Sequence, residues 1–260
     1  MYLDKILQEH RARIEVDTRN LDTLIDQASQ CGFGREFAER IRTDSVDRLA
    51  VIAEIKRKSP SKGVLNSGID PARLAQSYEV GGASCLSVLT DEDHFGGSVS
   101  DLQMARAAVQ LPVLRKDFTV SEKDICDAKI MGADCVLLIV AALDRAELVS
   151  FHQLADELML DVLVETHSEA ELEMALAIGA TLVGVNQRDL TTFAVDHDRA
   201  VRMAEMIPPN VIRVAESGVR DSQDAQRLRD AGYHAVLVGE SLVTATDPAA
   251  ALESLRVSGG

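Results

Sequence analysis

One join recurs four times along the chain and limits the folds open to it. A helix-like segment ends in a glycine, a small or aromatic residue follows, and then comes a run rich in Val, Ile and Leu. It reads "EVGGASCLSVLT", "IMGADCVLLIV", "AIGATLVGVNQ" and "DAGYHAVLVGE". Gly82, Gly132, Gly179 and Gly232 fit the left-handed position that closes a helix before the chain enters a strand. Between the joins lie "LPVLRKDF", "LDVLVETH" and "NVIRVAESG", and "VIAEIK" precedes them all. Eight strands are therefore expected, starting near residues 51, 84, 112, 135, 161, 182, 211 and 235.

Helical stretches separate these runs. "DPARLAQSYEVGG" places Pro71 in the first turn after Asp70, "SEKDICDAKIMG" opens on Ser121 as a cap, and Ser168 with Glu171 resembles a capping box. Nearly continuous apolar strands suit a parallel sheet covered by helices on its faces. Eight alternating units point to a closed (β/α)8 barrel, a TIM barrel. A doubly wound open sheet is the competing architecture, and its glycine fingerprint is absent. Leu3, Ile6, Leu7 and Ile14 suggest a helix ahead of the first strand that packs on the barrel. No linker divides the 260 residues, so one domain is expected, with residues 1–48 a helical extension and 49–260 the barrel.

Composition narrows the partners. With 46% apolar residues, no Trp and 3% aromatics, the core must be mainly aliphatic. A net charge of −15 argues against a general nucleic-acid or anionic-membrane binder, and it makes any local cluster of cations informative. "KRKSPSK" is such a cluster, but it lacks the interleaved aromatics of an RNA-binding patch. Cys31, Cys85, Cys126 and Cys135 form no CxxC pair and read as free thiols of a reducing compartment. The N-terminal segment is charged throughout, and no apolar stretch of about eighteen residues exists, so a cytoplasmic protein is expected.

Polar residues collect where the strands should end. In a barrel of this kind the chemistry sits at the carboxyl ends of the strands. Those ends carry Glu54 and Lys56, then Lys116, Glu165, Asn186 and Glu216, with Arg188 two residues past Asn186. Glu54 and Lys56 share one face of their strand. Each group taken singly is equally a solvated loop start or a structural ion pair. Their coincidence at five of eight strand ends is what indicates acid–base chemistry. The last two loops, "AESGVRD" and "LVGESLV", offer Ser217, Gly218, Gly239 and Ser241, whose backbone amides can approach a phosphate. No GxSxG elbow or HExxH is present, and "DEDHF" has no regular ligand spacing, so no metal or cofactor is expected. His94 and His167 read as loop or surface residues.

Taken in order, "VIAEIKRKSPSKG", "LSVLTDEDHFGGS", "LPVLRKDF", "LLIVAAL", "LVETH", "GVNQRDL", "IRVAESGV" and "AVLVGESLV" resemble the indole-3-glycerol phosphate synthase family over about residues 45–245. The resemblance implies a carboxy-lyase of tryptophan biosynthesis acting on 1-(2-carboxyphenylamino)-1-deoxyribulose 5-phosphate, with no cofactor. Lys116 matches the family's general acid for ring closure. Lys56 would hold the substrate carboxylate or act as the acid in dehydration, and Glu165 and Glu54 would share the remaining proton transfers. Asn186 and Glu216 match binders of the hydroxyls and amine, with Arg188 and Ser59 also at the site. Phe95, Phe118, Leu190 and Leu237 match an apolar slot for the aromatic ring. The amides around Ser217, Gly218, Gly239 and Glu240 would cradle the phosphate. Glu240 departs from the small polar residue common in the family, and its carboxylate is expected to turn from the phosphate. "RKSPSKG" is expected to move over the site, with Gly63 and Gly68 allowing it. A monomer or weak homo-oligomer fits, as does contact with other tryptophan-pathway enzymes. Two other readings remain: a phosphoribosylanthranilate isomerase-like barrel, which wants a Cys/Asp pair, and a non-catalytic phosphate-binding scaffold or regulator.

Overall fold

The computed structural model describes residues 2–60, 62–189 and 192–259. Eight strands lie within one residue of the expected starts: β1 (Ala50–Ile55), β2 (Cys85–Leu89), β3 (Val113–Lys116), β4 (Cys135–Ile139), β5 (Asp161–Thr166), β6 (Leu182–Asn186), β7 (Ile212–Glu216) and β8 (Ala235–Val238). Each pairs in parallel with its neighbours in sequence, and β1 pairs with both β2 and β8, which closes the barrel and excludes an open sheet. Val51, Ile52 and Ala53 are wholly buried on both faces, because helices cover the outside while side chains fill the inside.

The joins behave as their glycines require. Gly82, Gly132, Gly179 and Gly232 have φ of 85°, 97°, 86° and 89°, a region that costs a residue with a Cβ roughly 1–2 kcal/mol. Helix starts also follow local chemistry. The Asp70 side chain accepts the amides of Ala72 and Arg73, with Pro71 at the first turn, and Ser121 caps Glu122–Met131. One cap differs from expectation. Ser168 accepts the Glu171 amide, but the Glu171 carboxylate reaches past it to the His167 amide at 2.8 Å.

The segment before β1 wraps the barrel from mouth to floor. Helix α1 (Tyr2–Val16) lies over the carboxyl ends of β2, β3 and β4, where Arg11 pairs with Glu147 at 2.7 Å and His10 contacts Asp91 at 2.9 Å. Its Ile6 is buried, and Leu7 packs against the core. Helix α2 (Leu21–Gln30) runs down the side against Glu122–Met131. Helix α3 (Phe37–Asp44) closes the floor, where Phe37 and Ile41 have no exposed surface and the Ala38 amide donates to Asp161 at 2.9 Å.

Asp134, just before β4, anchors that floor. Its carboxylate accepts the amides of Arg35 (2.6 Å) and Val113 (2.9 Å) and pairs with Arg106. Removing a buried carboxylate strands three donors at once. Asp134→Ala should therefore lower unfolding stability by about 3 kcal/mol. Because the residue lies at the end away from the strand carboxyl termini, kcat of the folded fraction should stay within twofold; chemical denaturation and a turnover assay on the same preparation check both.

Candidate active site

Every strand-end residue singled out in the sequence converges on one cavity of about 370 Å³ at the carboxyl ends of the strands. Glu54, Lys56, Lys116, Glu165, Asn186 and Glu216 line it, together with Ser59, Arg188, Ser217, Gly218, Gly239 and Glu240. Phe95, Phe118 and Leu237 form its apolar part, and Leu190 lies outside the described residues.

The barrel register sets the polar floor. Glu216 is in register with Asn186 on one side and Leu237 on the other, so their side chains meet in one layer. Glu54 is opposite Ser87, whose hydroxyl donates to its carboxylate at 3.5 Å, and the Lys56 ammonium pairs with Glu54. Lys116 Nζ stands 3.5 Å from Glu165 Oε2, while the Asn186 amide donates to Glu165 Oε1 at 3.1 Å. The Arg199 guanidinium holds the Asn186 carbonyl at 2.8 Å.

The aromatic wall is built by the mouth loops and α1. Asp91 caps the short helix Glu92–Phe95, which carries Phe95 to a ring distance of 6.3 Å from Phe118. Behind Phe118 lies the His10 ring, 5.4 Å away. His10, Asp91 and His94 bring three donor atoms within 4.8 Å of one another, a cluster of metal-ligating types assembled only by the fold. Both rings contact the one carboxylate, at 2.9 and 3.0 Å, and Asp91 also accepts the His94 amide. The cluster therefore works as a clip between α1 and the turn that delivers Phe95.

At the opposite end, Ser217 and Gly218 both take left-handed conformations, φ 65° and 78°. The Gln187 side chain holds the Ser217 carbonyl at 2.7 Å, and the Ser241 hydroxyl ties the loop after β8 to Val219 at 3.1 Å. Glu240 turns its carboxylate to Lys62, which stands beside a two-stranded ribbon, Lys58–Ser59 with Gly63–Val64, in the loop after β1. Ser61 of that loop lies outside the described residues.

Residues 3–255 match the family model described as "Indole-3-glycerol phosphate synthase". The chain belongs to the indole-3-glycerol phosphate synthase family. A curated relative of that name from Streptomyces griseus subsp. griseus is 46% identical over 253 residues, 97% of this chain and 91% of the relative. Another, from Leifsonia xyli subsp. xyli, is 53% identical over 210 residues, 81% of this chain and 80% of the relative. Among solved structures, a 3-hexulose-6-phosphate synthase shares the fold alone, with a TM-score of 0.63 at 19% identity, over 80% of this chain and 98% of that one.

Within this member of the family the charges are strongly coupled. Burial opposes the Lys116 ammonium, but Glu165, Glu216 and Glu54 outweigh it and hold its pKa above the usual lysine value. Burial would likewise neutralise Glu165, but Lys116, His167 and Asn186 keep it ionised well below the carboxylate range. Glu216 goes the other way: burial and the neighbouring Glu165 charge push it well up, with Lys116 offsetting only part. Two carboxyl groups of the same cluster are thus pushed in opposite directions, Glu165 down and Glu216 up.

His167 lies in the loop after β5, as expected, but it is not a surface residue. Its side chain is only 10% exposed, and Nε2 is 3.2 Å from Glu165 Oε1. The available signal was alternation, since a residue two past Glu165 points to the same face. Gln187 gave no such signal, because its role depends on a turn from another loop.

Two glycines make the polar floor possible. A Cβ on Gly184 would stand 2.0 Å from Glu216 Oε1, and one on Gly239 would stand 2.4 Å from Glu54 Oε1. Gly184→Ala and Gly239→Ala should each displace a carboxylate by about 1 Å and lower kcat on the order of a hundredfold. Far-UV circular dichroism should be unchanged, and initial rates with each variant check the loss.

Proposed function

We infer that the chain catalyses the family's reaction, closing 1-(2-carboxyphenylamino)-1-deoxyribulose 5-phosphate to indole-3-glycerol phosphate with release of CO2 and water. The observation that carries the residue assignment is the buried Lys116 ammonium, 3.5 Å from Glu165, facing a cavity with two phenylalanines on one side and amide-rich turns on the other. A doubly anionic substrate in a chain of charge −15 needs such a local concentration of Lys and Arg.

The ring carbon bearing the carboxylate bonds to the ketone carbon, and the carbonyl oxygen takes the Lys116 proton to become a hydroxyl. A raised lysine pKa suits this transfer, because the acceptor is a developing alkoxide and the cation stabilises it before the proton moves. Lys56 holds the carboxylate until the bond to CO2 breaks and its electrons restore the aromatic ring. Lys116 recovers its proton from solvent only after dehydration, and this net uptake balances the loss of an anionic carboxylate as neutral CO2.

Dehydration then needs an acid for the leaving hydroxyl and a base for the hydrogen on the carbon next to nitrogen. Once Lys116 is neutral, the largest charge favouring the ionised form of Glu165 is gone, so Glu165 can take up a proton and pass it to the hydroxyl. Glu54, paired with Lys56, accepts the carbon-bound proton. Phe95, Phe118 and Leu237 enclose the aromatic ring, and the turns at Ser217–Gly218 and Gly239–Glu240 bind the phosphate, with Glu240 engaged by Lys62. Asn186, Glu216 and Arg188 contact the hydroxyls and amine, and Ser59 rides on the loop that covers them.

No described helix is long and apolar enough to cross a membrane, and the four cysteines are free. These features support a cytoplasmic enzyme, working as a monomer or weak homo-oligomer.

Lys116→Met should abolish ring closure while substrate still binds within about tenfold, and Glu165→Gln should lower kcat on the order of 10²–10⁴-fold. Indole fluorescence appearing on mixing with substrate, without added metal, measures both. Substantial turnover by Lys116→Met would remove it as the acid.

A further inference from the structure

His167 stands behind Glu165, which lines the cavity, and none of the proposed steps uses it. It follows β5 directly, and it is held on both ring nitrogens. Nε2 lies 3.2 Å from Glu165 Oε1, and Nδ1 lies 3.2 Å from Glu171 Oε2. The Glu171 carboxylate also accepts the His167 backbone amide, so ring and backbone are fixed by one group in the first turn of the next helix. Nε2 makes no aligned hydrogen bond, and Glu165 Oε2 and Glu216 Oε1 are also buried without one. Glu165 and Glu216 line the cavity, and His167 Nε2 behind Glu165 is a third buried atom with hydrogen-bonding capacity left.

We propose that His167 is a positioning residue for catalysis: as an imidazolium braced by Glu171, it fixes the Glu165 carboxylate against Lys116 and controls when that carboxylate takes up a proton. The inference rests on the proton-transfer role read for Glu165. The groups that face the imidazole set its charge. Glu165 comes from β5 and Glu171 from the following helix, while Lys116 on β3 and Glu216 on β7 act on it through Glu165. Burial pulls the imidazole pKa down, but the two carboxylates outweigh it and push it up to about 9. His167 is then a cation throughout the neutral range. Its charge lowers the proton affinity of Glu165, so Glu165 stays ionised until Lys116 has reacted. Above pH 9 the imidazole is neutral and this control is lost.

His167→Gln keeps a hydrogen-bonding group at similar reach and removes the charge; His167→Ala removes both. The ring and Glu165 meet as a close ion pair, and an opposite charge at this range shifts a carboxylate by about one to three pKa units, so both variants should lose on the order of ten- to a hundredfold in kcat at neutral pH. KM should change less than about threefold, because the ring touches Glu165 and not the substrate. The wild-type kcat profile should fall along an alkaline limb near pH 9, and that limb should be missing in both variants. Wild-type kcat in His167→Gln would overturn the proposal. So would a reduced kcat that keeps the alkaline limb, since that is the pattern of a purely structural residue. Glu165→Gln measured in parallel separates the two levels. If it retains turnover, the Glu165 role fails; if it is inactive while the His167 variants are normal, only the present proposal fails.

Discussion

The structure depends on one buried ammonium among three carboxylates. Lys116 sits where β3 enters the mouth of the barrel, and Glu54, Glu165 and Glu216 reach it from β1, β5 and β7. Withdrawing ions from water costs several kcal/mol each, so such a cluster persists only if its charges are matched and held. Matching is helped by opposite shifts: the pKa of Glu216 is pushed up while that of Glu165 is held down. Holding is achieved by closure. A parallel sheet rolled into a barrel points alternate side chains of every strand at one axis, and its pairing register fixes their depth.

The remaining parts of the mouth follow from that cluster. Carboxylates at the axis need space, and the barrel provides it by omitting a Cβ at Gly184 and Gly239. One side of the cavity is apolar, and few aromatics are present to build it. Phe95 is placed by a turn capped through Asp91, and Phe118, which follows β3, is backed by His10 of α1. The extension is thus part of the wall, through a contact that joins residues 81 positions apart.

Stability and chemistry are kept at opposite ends. At the floor, Asp134 and Asp161 satisfy backbone amides of the extension and of β3, and their work is finished once the chain is folded. At the mouth, Glu165, Glu216 and His167 retain buried polar atoms with no hydrogen bond. Such atoms are expensive in a folded protein, and open hydrogen-bonding capacity beside a cavity is what a site complementary to something other than itself requires.

Periodicity and punctuation carried the sequence a long way. Eight apolar runs, four of them entered through a left-handed glycine that closes the preceding helix, define eight βα units, because those effects act within about ten residues. The strand-end residues were legible for the same reason, since alternation tells which side chains face inward. What sequence could not determine was partnership. Nothing near "LVETH" says that His167 is braced by Glu171 against Glu165, and the capping-box pattern of Ser168 and Glu171 suggested another use for that carboxylate. Nothing in "DEDHF" says that His10 completes a clip with Asp91 and His94. Local sequence sets which groups are available and which way they point. Only closure of the barrel decides which charges become neighbours, how much water they lose, and therefore which way the proton affinity of each of two identical carboxyl groups moves.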